Sequence, residues 1–93
     1  MEKMTQKQIF ALGLVALEEK GINAYVAIEK YATQLKNNNI DTQKINSINA
    51  TFASLASKGL VNKEKRVYKD KLVTYYVITE KGLANLNKEE ENN

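Results

Sequence analysis

Apolar residues change their spacing partway along the chain, and the change divides it into a helical part and an extended part. From Thr5 to Glu19, the residues Ile9, Phe10, Leu12, Leu14, Val15 and Leu17 run without a break, and Gly21 follows as a stop. This predicts a first helix with Thr5 as its N-cap and Gln8 in position to close a capping box. The apolar band is wider than one helix face. Burial on several sides explains it, and a dimer seam through Ile9, Leu12 and Val15 is the alternative. Asn23 then caps a second helix to about Lys36, with Tyr25, Ile28, Tyr31, Ala32 and Leu35 predicted to face inward. The run Asn37-Asn38-Asn39 stops it, because asparagine tolerates the left-handed conformation. A third helix is expected from Asp41 or Thr42 to about Lys58. Its inward stripe is Ile45, Ile48, Phe52 and Leu55, Ile40 staples its start and Gly59 ends it.

Beyond Gly59 the pattern becomes extended. Leu60 and Val61 open a strand that continues to Tyr68, Lys69-Asp70-Lys71 forms a polar turn, and Leu72 to Ile78 returns rich in β-branched and aromatic residues. Strict alternation puts Tyr75 and Val77 on one face and Tyr76 and Ile78 on the other, so one tyrosine of the pair should face outward. Two strands are not stable alone and must lie on the helices. Thr79 caps a last helix, Glu80 to Asn87, with Leu83 and Leu86 inward. The fold class is therefore α+β, mostly α: three helices, a two-stranded hairpin and a short C-terminal helix. One domain covers residues 5–87, and a disordered acidic tail covers 88–93.

Composition narrows the function classes. With 93 residues and a 43% hydrophobic share, the chain can form one modest core. The stretch from Ile9 to Leu17 is far too short for a membrane span, and no secretion signal is visible at the N-terminus, so a cytoplasmic setting is expected. The chain contains no cysteine and no histidine. That removes disulfides, thiolate zinc sites, cysteine nucleophiles and the commonest general base. No glycine-rich phosphate loop or nucleophile elbow is present, and the carboxylates are scattered. The expectation is a protein that is not an enzyme and needs no cofactor and no metal.

Charge is unevenly placed although the net is only +3. Between residues 59 and 81, Lys63, Lys65, Arg66, Lys69, Lys71 and Lys81 stand against Glu64, Asp70 and Glu80, for a local net of +3. The hairpin is thus flanked and tipped by positive charge, which attracts phosphates whatever the total. A solvated lysine surface that deters strand aggregation explains the same residues. The outward face of the third helix reads Gln43, Lys44, Asn46, Ser47, Asn49, Ala50 and Ser54. Asn and Gln can bond adenine bidentately and Ala can meet a thymine methyl, although small polar residues are ordinary on any exposed helix.

Three helices followed by a basic hairpin is the order of a winged helix-turn-helix domain. Leu55-Ala-Ser-Lys58-Gly59-Leu60-Val61 resembles the junction between recognition helix and wing in MarR-like and PadR-like bacterial transcriptional regulators. Tyr76-Val77-Ile78-Thr79-Glu80-Lys81-Gly82 is similar to their wing exit. The resemblance runs from about Thr5 to Leu86; it departs in the wing, where MarR proteins carry an Asp and an Arg and Glu64 and Arg66 stand near that place without the same pattern. It implies binding to double-stranded DNA, with the third helix in the major groove and the wing on the backbone or minor groove. Lys44, Lys63, Lys65, Arg66, Lys69 and Lys71 would then meet phosphates, with Arg66 or Lys69 reaching a groove. Gln43, Asn46, Ser47, Asn49 and Ala50 would lie nearest the bases. A homodimer would read two half-sites. The alternative is a winged helix that binds a protein partner, as a phage or mobile-element accessory acting on a host complex; exposed Tyr68, Tyr75 or Tyr76 would favour it.

Overall fold

The computed structural model describes residues 4–91, with side chains described as far as Lys88. The elements in order are α1 (Gln6–Leu17), β1 (Ile22–Asn23), α2 (Ala24–Asn37), α3 (Ile45–Ser57), β2 (Val61–Tyr68), β3 (Lys71–Ile78) and α4 (Glu80–Glu91). Helix α1 starts as expected. Thr5 Oγ1 accepts from the Gln8 backbone N–H at 3.1 Å, and Gln8 Oε1 accepts from the Thr5 N–H at 3.0 Å. Leu12 and Val15 are fully buried in the chain's own core, which removes them from any dimer seam; Ile9 is half-buried. The wide apolar band of α1 is therefore a central helix packed on several sides. On α1 and α4, the large apolar side chains left exposed among the described residues are Leu17 and Leu83.

The expected two-stranded hairpin is part of a three-stranded antiparallel sheet in the order β1-β3-β2. Ile22 and Asn23 pair with Tyr76 and Tyr75 and tie the α1–α2 connection to the hairpin. Two residues are too few to leave a periodic signal. Asn23 also caps α2, its Oδ1 accepting from the Val26 N–H at 2.8 Å, while its buried Nδ2 has no partner.

Helices α2 and α3 end in the same way. Asn39 (φ 61) and Gly59 (φ 75) take the left-handed position after each helix. The Ile40 N–H reaches Leu35 O at 2.9 Å and the Leu60 N–H reaches Leu55 O at 3.0 Å, so each end is a Schellman motif with a buried apolar residue behind it. Ile40 therefore seals the end of α2 instead of stapling the start of α3. That start is four residues later than Asp41. Asp41 Oδ1 accepts from the Gln43 N–H at 2.8 Å, an Asx-type turn that competes with helix, and Lys44 is extended.

Two inward assignments change. On α2 the buried residues are Ala24, Ala27 and Leu35, with Ile28 and Tyr31 half-buried, while Tyr25 is exposed. On α4, Leu83 is exposed and Gly82 meets the core. A Cβ at Gly82 would lie 2.2 Å from Leu60 O, so the helix backbone itself packs on the start of β2. Thr79 caps this helix as expected, accepting from the Gly82 N–H at 3.0 Å. The helix continues through Glu91, past the expected boundary at Asn87, so the acidic segment is helical that far; residues 92–93 lie outside the described residues. The α3 stripe is as expected: Ile48, Phe52 and Leu55 are buried and Phe52 packs on Tyr76 with ring centroids 4.9 Å apart.

Candidate nucleic-acid interface

Hairpin geometry decides which cations can act together. Lys69 (φ 49) and Asp70 (φ 67) are both left-handed, forming a two-residue connection of the type that follows the right-handed strand twist. Lys71 therefore belongs to β3 and pairs with Tyr68, and the whole register follows from that pair. On one face the rungs run outward as Val61/Ile78, Lys63/Tyr76, Lys65/Thr74 and Val67/Leu72. On the other they run Asn62/Val77, Glu64/Tyr75, Arg66/Val73 and Tyr68/Lys71.

The first face meets α3. Tyr76 is buried, and its hydroxyl donates to Asn49 Oδ1 at 2.8 Å. Burial raises the pKa of this phenol, so it stays a neutral donor. Lys63 and Lys65 lie on the same face, are exposed, and step outward from that contact. On α3, Asn46 and Ala50 are exposed and one turn apart. Ser47 is half-buried, and Asn49 is held by Tyr76. Gln43 and Lys44 are exposed but precede the helix. Ser54 accepts from Gln8 Nε2 at 3.1 Å and so serves packing between α1 and α3.

The second face is braced against the rest of the molecule. Arg66 Nη1 donates to Lys20 O at 2.6 Å, its Nε donates to Glu64 Oε2 at 3.0 Å, and its guanidinium lies 4.7 Å from the Tyr75 ring centroid. Gly21 (φ 114) makes room for it, since a Cβ there would lie 3.2 Å from Arg66 Nη1. Arg66 therefore does not join Lys63 and Lys65: its charge is met by Glu64 and its donors are spent on the α1–β1 loop. Lys71 shares this second face, and Lys69 sits at the tip with its ammonium 5.3 Å from the Tyr68 ring centroid. Tyr68 stacks on Tyr25 with centroids 6.2 Å apart and donates to Glu29 at 3.3 Å, which ties the outer end of the hairpin to α2.

None of the three candidate tyrosines stands free. Tyr76 is buried, Tyr75 lies under Arg66 and Tyr68 lies against Tyr25. The apolar rung Val67/Leu72 and the Tyr25–Tyr68 stack went unnoticed in the sequence. Strand parity counted back from a two-residue turn would have found the first. Tyr25 carried a helical period that suited the core equally well.

Among the described residues no cluster of acidic, histidine or cysteine side chains could hold a metal, and no helix is long and apolar enough to cross a membrane. No protein-family model matches the chain, and no curated protein matches it. Among solved structures, the chain is similar to a PadR family transcriptional regulator from Eggerthella lenta DSM 2243. The TM-score is 0.66 and the identity 20%, over 94% of this chain and 73% of that one. The shared architecture is the winged helix, with β2 and β3 as the wing.

Proposed function

We propose that this winged helix binds double-stranded DNA sequence-specifically, as a cytoplasmic transcriptional regulator. Helix α3 enters the major groove, and the lysine-bearing face of the wing follows the backbone. The observation that supports this is that Lys63 and Lys65 share the wing face that Tyr76 joins to Asn49 of α3, the helix on which Asn46 and Ala50 are exposed. It sets a low-bulk polar helix beside a ladder of cations. Lys44, Lys63, Lys65 and Lys69 neutralise phosphates, with Lys71 reaching them from the second face. Gln43, Asn46, Ser47 and Ala50 approach base edges. Asn49, anchored to the sheet, orients α3 against the wing. Arg66 braces the wing from behind. A homodimer formed through a surface other than Leu12 and Val15 would read two half-sites.

The protein-binding alternative rested on an outward tyrosine at 68, 75 or 76, and the packing of all three weakens it. Fluorescence anisotropy on random duplex DNA across salt, followed by selection from a randomised duplex library, tests the DNA reading. Affinity should fall linearly on a log–log salt plot, and selection should return a motif. Asn46→Ala should then cost about 1–3 kcal/mol at one base position and little on random DNA. A chain with no salt-dependent affinity for duplex DNA ends the proposal.

A further inference from the structure

The outermost rung on the α3 side of the wing is apolar. Val67 and Leu72 face each other directly across β2 and β3 and remain 70% and 66% exposed. A cross-strand apolar pair supports a hairpin, yet this one leaves most of its area in water. The next rung inward carries Lys65, with Lys63 beyond it, and the turn beyond the pair is Lys69-Asp70, with Lys71 on the opposite face. No acidic residue interrupts this face from Lys63 to Leu72. A second copy of the chain placed here would bring two sets of lysines together, and a polyanion would not. The rung is also held in place, because Tyr68 beside it stacks on Tyr25 and bonds Glu29.

We infer that Val67 and Leu72 form an apolar wedge that the flanking lysines carry into the DNA minor groove. This rests on the DNA-binding reading and adds how the wing tip engages the duplex. The two strands are about 5 Å apart before side chains are counted, and the minor groove is about 6 Å wide. The ribbon cannot enter whole, so the outer apolar side chains enter first, widen the groove and loosen a base step. Pyrimidine–purine steps yield most easily and should be preferred. The lysines supply attraction that salt screens, and the wedge supplies contact that it does not.

The test uses the full chain, a duplex with 2-aminopurine beside a TA step, and netropsin as a minor-groove competitor. Binding of the wild-type chain should raise 2-aminopurine fluorescence, and netropsin should displace it. The Val67→Thr/Leu72→Thr variant puts threonine, a β-branched residue suited to strands, at both positions. It should bind about tenfold more weakly at every salt concentration, with the salt slope unchanged and the fluorescence rise lost. The variant's circular dichroism should match the wild type, and the netropsin arm needs no variant at all. Salt-dependent binding with no fluorescence rise and no netropsin competition overturns the wedge and leaves the DNA reading standing. Loss of a self-association or of a protein contact in the variant, with duplex binding intact, also overturns it. No salt-dependent duplex binding by the wild-type chain overturns both.

Discussion

The two faces of the wing carry similar residues and are built for different work. On the side of α3, Lys63 and Lys65 have no acidic neighbour across the strand pair: their partners are Tyr76 and Thr74. On the opposite side Arg66 is locked to Glu64, Lys20 O and Tyr75, and Tyr68 is locked to α2. One face leaves its cations to solvent, and the other uses Arg66 to hold the hairpin to the body. A basic hairpin is therefore not a uniform patch. Parity along the strand separates a lysine that can meet a phosphate from an arginine that cannot do so without releasing the α1–β1 loop.

The widest separation between the faces should come from removing their cations in turn. Lys63→Ala/Lys65→Ala should weaken duplex binding roughly fiftyfold at about 0.1 M salt and lower the salt slope by about two, each phosphate contact being worth about 0.9 of slope. Its thermal stability should match the wild type, since exposed lysines contribute little to folding. Arg66→Ala should do the reverse. It should lose about 1–2 kcal/mol of stability, from a charge-assisted bond to a carbonyl and a cation–π contact, and keep the slope. Salt titrations and chemical denaturation of the two variants, run side by side, check the contrast. If Arg66→Ala also lowers the slope by about one, the faces do not differ in the way the geometry says.

That contrast explains how much could be read from the sequence. The helices, their caps and the hairpin were legible, because a period of three to four gives way to alternation between Gly59 and Val61 and because Thr5, Asn23, Thr79 and Gly59 mark ends. The winged helix was legible from that order. What was not legible hinged on single residues. Reading Lys69-Asp70-Lys71 as the turn makes it one residue too long and slips the register. Arg66 would then sit on the face of Tyr76, and Lys65 on that of Tyr75. Arg66 consequently stood with the four wing lysines as a phosphate contact. Strand β1 is too short to have a period, and Tyr25 satisfies a core period while belonging to the surface. The late start of α3 comes from the Asp41 side chain bonding two residues on, a choice between cap and turn that composition does not settle.

Turn length can itself be tested. Asp70 holds φ 67, a conformation that costs a residue with a Cβ, and glycine adopts it freely. Asp70→Gly should stabilise the chain by about 1 kcal/mol in denaturant titration, because it relieves that strain. If the connection were three residues long with Lys71 in it, the same substitution would have no left-handed position to relieve and would cost stability instead. Backbone strand pairing followed by NMR should show Tyr68 opposite Lys71 in both proteins.

The smallest expected effect reaches the braced face through its far anchor. Arg66 is received by Lys20 O, and two residues earlier in that loop Glu18 accepts from Tyr31 Oη at 2.8 Å and from Lys30 Nζ at 3.2 Å. The Tyr31 hydroxyl first, and then Lys30, hold the Glu18 carboxyl below its ordinary pKa, while Glu18 holds the Tyr31 phenol above its own. A depressed carboxylate contributes stability that is complete above its unfolded pKa and is lost as pH falls through the folded one. The raised phenol contributes below its unfolded pKa and loses that contribution as pH climbs through its folded value. Glu18→Gln should therefore melt slightly below the wild type at neutral pH, by under about 1 kcal/mol, as expected for a largely solvent-screened contact. The gap should close in acid, below the ordinary carboxylate range. Because the loop joins Glu18 to the Arg66 brace, Glu18→Gln and Arg66→Ala should be less than additive in a double-mutant cycle. Glu18→Gln and Lys65→Ala, on opposite faces with no shared partner, should simply add.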